Sequence, residues 1–110
     1  MKKVRVLIAD DSKTMRQVLH QLLDEDPDIK VVGEAADGAE AVTMARSLSP
    51  DVITMDVQMP QLNGLEATAA IMSSMPSRIL VICSVTEGRE IDLSLRAMSA
   101  GALELIPKPR

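Results

Sequence analysis

Val4-Arg5-Val6-Leu7-Ile8-Ala9-Asp10-Asp11-Ser12 is an almost unbroken apolar run cut off by two acids and a hydroxyl. A strand with one wet face alternates polar and apolar residues, whereas a strand covered on both faces reads like this run. Such strands belong to parallel sheets with helices on either side. The rest of the chain repeats the unit. Met15, Val18, Leu19, Leu22 and Leu23 recur at three- and four-residue spacing, predicting a helix capped by Asp11 or Ser12 and ended at Asp26-Pro27-Asp28. Residues 29–32 read as a short second strand, and Asp37-Gly38 as the turn into a helix with Ala41, Val42, Ala45 and Leu48 on its apolar stripe.

Ser49-Pro50 closes that unit, and residues 51–56 read as a third strand with Asp56 at its C-terminal tip. Pro60 and Gly64 shape the next loop, and a third helix near 65–72 ends before Pro76. Arg78–Cys83 is the fourth strand. Ile91, Leu95 and Met98 mark a fourth helix stopped by Gly101, and residues 102–106 form a fifth strand followed by Pro107-Lys108-Pro109. Strands and helices alternating every 20–25 residues or so predict right-handed crossovers and an α/β fold, a doubly wound five-stranded parallel sheet. The sequence stops directly after the fifth strand, with nothing left to build a last helix. Residues 1–110 are therefore expected to be one domain of a longer multidomain protein.

Composition narrows the function. A chain of 110 residues supports one core, and with no Phe, Tyr or Trp its volume comes from Leu, Ile, Val, Met and Ala. No ring is available to stack on bases, the net charge is −4, and the basic residues are scattered, so direct nucleic-acid binding is not expected. The single cysteine, Cys83, has no partner for an intramolecular disulfide, which suits a reducing compartment. With no apolar stretch of spanning length and no signal-peptide pattern, the chain is expected to be cytoplasmic and not membrane-inserted.

In an open parallel sheet, chemistry collects beyond the carboxyl ends of the strands. Asp10 and Asp11 end the first strand and Asp56 the third, so central neighbouring strands bring three carboxylates together. Each alone reads as a turn-former or helix cap. Together they repel one another unless a cation sits between them, and hard oxygen ligands suit Mg2+ completed by phosphate oxygens. Lys108, at the end of the fifth strand, offers a positive charge to a phosphate or to the cluster.

Asp10-Asp11-Ser12, Met55-Asp56-Val57-Gln58-Met59-Pro60, Asn63-Gly64, Gly101-Ala102 and Pro107-Lys108-Pro109 together resemble the bacterial two-component receiver domains, in order and spacing, over essentially the whole chain. The resemblance implies a flavodoxin-like receiver fold with Asp56 as phosphoacceptor for a histidine kinase. It also implies Asp10, Asp11, Asp56 and the backbone carbonyl of Gln58 as Mg2+ ligands, and Lys108 as the phosphate contact. The family places a Ser or Thr at the end of strand four. Here Cys83 stands there with Ser84 one beyond, and a thiol is a weak donor, so either Cys83 or Ser84 holds that switch position. The bland reading of Cys83 is a small buried hydrophobe. Leu105 occupies the position of a switch aromatic in strand five, which implies weakened or altered output. His20, away from the acidic end, reads as a surface or partly buried side chain.

Ala9–Arg16, residues 50–60, Ser84-Val85-Thr86-Glu87-Gly88 and Leu95-Arg96-Ala97-Met98 are most similar to the N-terminal regulatory domain of the chemotaxis protein-glutamate methylesterases. That resemblance implies a C-terminal methylesterase in the same protein, acting on chemoreceptors by demethylation and deamidation. The chain itself holds no nucleophile elbow and no Ser/His/Asp set, so esterase chemistry is expected only of the parent protein. Two alternatives remain. One is a receiver with DNA-binding output or none, which the sequence after Arg110 would distinguish. The other is a Mg2+-dependent phosphohydrolase, which would turn over repeatedly where a receiver keeps one phosphoryl group.

Overall fold

The computed structural model describes residues 3–83 and 90–107, and of residues 90–94 and 107 it describes the backbone alone. Elements alternate as β1 (Val4–Ala9), α1 (Lys13–Asp24), β2 (Ile29–Ala35), α2 (Gly38–Leu48), β3 (Val52–Asp56), α3 (Gly64–Ser74), β4 (Arg78–Cys83), α4 (Glu90–Ala100) and β5 (Glu104–Pro107). All pairs are parallel, in the order β2-β1-β3-β4-β5. The order reverses at β1, and right-handed crossovers on either side of a reversal place helices on opposite faces. The expected doubly wound sheet is what forms.

The faces are covered unequally. Helices α2, α3 and α4 pack side by side over the face carrying Leu7, Ile53, Met55, Ile79 and Val81, all fully buried. Each such side chain contributes about 1.5–3 kcal/mol of burial, so aliphatic residues replace the absent rings by number. The opposite face carries Val6, Ile8, Thr54 and Ile82, and α1 packs on β1 and β2. The stripe read on α1 is only partly covered. The helix has no buried residue, and Val18 and Leu22 are 40% and 49% exposed.

Local chemistry sets the boundaries. Ser12, not Asp11, caps α1, its Oγ accepting from the Met15 N–H at 3.1 Å. β2 runs to Ala35, three residues beyond the expected end, with a register shift between Val6 and Leu7 that moves pairing from Val31 to Gly33. α3 starts at Gly64, one residue before the expected 65, where Asn63 and Glu66 form a reciprocal capping box, and it runs on to Ser74. β5 begins at Glu104 and not at 102, since the Ala102 N–H still returns to Ala97 O at the end of α4, through Gly101 at φ 107°. No helix among the described residues is long and apolar enough to cross a membrane.

Candidate functional site

The pairing of Ala9 with Met55 across β1 and β3 sets the next residues, Asp10 and Asp56, side by side beyond the carboxyl edge. Both are buried, at 1% and 2% exposure, while Asp11 is exposed. One carboxylate oxygen from each of Asp10, Asp11 and Asp56 lies within 4.8 Å of the others. Ligands about 2.1 Å from Mg2+ are at most about 4.2 Å apart. The three oxygens thus lie within about an ångström of the spread that one hard cation requires, and their donor set suits it.

The main chain around these acids is tied down. Asp10 donates its N–H to Ala35 O at 3.0 Å, and its Oδ1 accepts from the Ser12 N–H at 2.9 Å. Beyond β3, Val57 donates to Ile82 O at 3.1 Å and Gly64 to Val57 O at 2.9 Å, holding the following loop against the sheet. The exposed Gln58 lies beside Asp56, its N–H 3.4 Å from Asp56 Oδ1. A β-carbon at Gly64 would overlap the Asp56 carbonyl oxygen, so that approach is open to glycine alone.

Residues 6–110 match the response regulator receiver domain family. The chain belongs to that family. It is 59% identical over 106 residues to protein-glutamate methylesterase/protein-glutamine glutaminase 3 of Myxococcus xanthus, covering 96% of the chain and 30% of that relative. The receiver therefore spans about a third of the length of the curated relatives it matches. It superposes on the response regulator domain of Thermotoga maritima CheB with a TM-score of 0.90 at 48% identity, over 99% of this chain and 81% of that one. The CheX-CheY-BeF3-Mg+2 complex from Borrelia burgdorferi gives a TM-score of 0.89 at 28% identity, over 99% and 81%.

Other residues singled out in the receiver sequence fall in different places. Cys83 is buried at the C-terminal end of β4, 2% exposed, on the strand that neighbours β3. Leu105 is partly buried on β5 and packs against the core under α2–α4. Lys108, Ser84 and the rest of the 84–89 stretch lie outside the described residues. His20 is partly buried, as read, with its side chain 38% exposed. It is paired, however: its Nδ1 lies 2.8 Å from Glu34 Oε2 and its Nε2 3.3 Å from Asp24 Oδ2. Sequence reading missed Arg16 and Glu34. Their one signal was the four-residue spacing of Arg16 and His20, which puts both on one face of α1.

Proposed function

We propose that the chain is a phosphorylation switch in which Asp56 accepts a phosphoryl group from a histidine kinase, beside Mg2+ held by Asp10, Asp11, Asp56 and the Gln58 carbonyl. The observation that carries this reading is the convergence of three carboxylates, two of them buried, at the carboxyl edge of a receiver-family sheet. Buried carboxylates this close are costly without a neutralising partner. The Borrelia complex, described with BeF3 and Mg+2, supports the same chemistry here.

An Asp56 carboxylate oxygen attacks the phosphorus in line. As the new O–P bond forms, the bond from phosphorus to the donor imidazole breaks, and its electron pair leaves with the imidazole. When bound, Mg2+ would supply neutralisation of the charge on the phosphoryl oxygens. Asp10 and Asp11 would hold that cation, and Lys108 would pair with the phosphoryl group. Either Cys83, at the end of β4, or Ser84 senses the new oxygens. Leu105, lacking a ring, weakens or alters the output. The product is a labile acyl phosphate, so the added charge is transient.

In the whole protein, residues 1–110 form the regulatory domain and control an attached C-terminal methylesterase that demethylates and deamidates chemoreceptors in the cytoplasm. The relatives named protein-glutamate methylesterase/protein-glutamine glutaminase support this assignment. The test is the methylesterase activity of the intact protein before and after acetyl phosphate with Mg2+. Activity should rise with the phosphodonor and stay at its basal level in Asp56→Asn. Stimulation that survives in Asp56→Asn, or an intact protein without esterase activity, would count against it.

A further inference from the structure

Arg16, in the first turn of α1, reaches back to the acidic pocket. One Nη donates to the main-chain carbonyl of Asp10 at 2.7 Å, and its Nε lies 3.3 Å from Glu34 Oε1. The Arg16 side chain is only 16% exposed. Glu34, near the end of edge strand β2, is held in turn by His20 Nδ1, 2.8 Å from its other carboxylate oxygen. A line of contacts thus runs from the surface of α1, across β2, to the carbonyl of a clustered acid. It adds to the tethering of Asp10, whose N–H is bound to Ala35 and whose carboxylate accepts from Ser12.

We propose that Arg16, braced by Glu34, is a positioning residue for the divalent-cation site. It fixes the Asp10 main chain and hence the direction in which the Asp10 carboxylate faces Asp11 and Asp56. The proposal rests on the reading of the three acids as a Mg2+ site.

Two effects of opposite sign separate positioning from a simple electric field. A guanidinium near a cation site repels the cation, so deleting its charge alone tightens binding. Deleting the hydrogen-bonded support of a ligand loosens it, typically by 10–100-fold in metal affinity. Lysine keeps the charge, but its single ammonium lacks the planar fork that spans the Asp10 carbonyl and Glu34 together.

The experiment is calorimetric titration with Mg2+ of the wild type, Arg16→Lys, Arg16→Ala and Glu34→Gln. Thermal unfolding in chelator is followed in parallel. The expected result is Mg2+ binding weakened about tenfold in both Arg16 variants, with a smaller loss in Glu34→Gln, all three folded at the titration temperature. Unchanged affinity in Arg16→Lys, with equal or tighter binding in Arg16→Ala, would overturn positioning while leaving the Mg2+ site intact. A wild type that takes up no Mg2+ would overturn both. Should Arg16→Ala fail to fold, Arg16→Lys decides, since removing the Glu34 charge weakens cation binding on either account.

Discussion

Gly64 lies against the main-chain carbonyl of Asp56 with no room between them for a β-carbon. The contact is backbone to backbone, and the Gly64 N–H reaches Val57 O at 2.9 Å, so the start of α3 and the end of β3 are locked together. Gly64→Ala is therefore expected to push Asp56 out of place. Overpacking of this kind costs about 1–3 kcal/mol. Urea unfolding should show the loss of stability, and the rate of phosphoryl uptake from acetyl phosphate should fall with it. Unchanged stability and rate would mean that the loop gives way freely.

Ser12 has two separable tasks. Its hydroxyl caps α1 by accepting from the Met15 N–H, while its main-chain N–H donates to Asp10 Oδ1. Ser12→Ala removes only the first. It should lose about 1 kcal/mol of stability and keep the wild-type Mg2+ affinity. Paired urea and calorimetric titrations check both halves.

Ile71 anchors α3 in the core with 1% exposure. Ile71→Ala leaves a cavity in a layer that has no aromatic volume to collapse into it, and should cost about 2–5 kcal/mol in chemical denaturation.

The parts of the fold legible in the sequence were those written in side-chain pattern. β1 and β4 have the expected bounds because each is an apolar run ended by a different chemistry, acids after Ala9 and the end of the run at Cys83. β2 was harder to read. It is an edge strand in which Gly33 shows no side chain and Glu34 is polar because Arg16 and His20 hold it. The start of β5 was hidden by backbone bonding, with Ala102 still closing α4 through Gly101. At the site, the convergence of Asp10, Asp11 and Asp56 followed from strand order alone. The Arg16 bridge did not, because the four-residue spacing of Arg16 and His20 marks a shared face of α1 but not the Glu34 carboxylate and Asp10 carbonyl that face meets.

Cys83 is 2% exposed. A buried thiol reacts only when the structure opens. A disulfide reagent should therefore label it slowly in native buffer and quickly in urea. Immediate labelling of the native protein would place the thiol on the surface and remove the end of β4 from the packed interior.

The most direct test of the switch is intact-mass analysis after incubation with acetyl phosphate, with and without Mg2+, on the wild type and on Asp56→Asn. The account predicts a single phosphoryl adduct that requires Mg2+ and is lost in Asp56→Asn. An adduct that persists in Asp56→Asn, or none in the wild type with Mg2+ present, would contradict it.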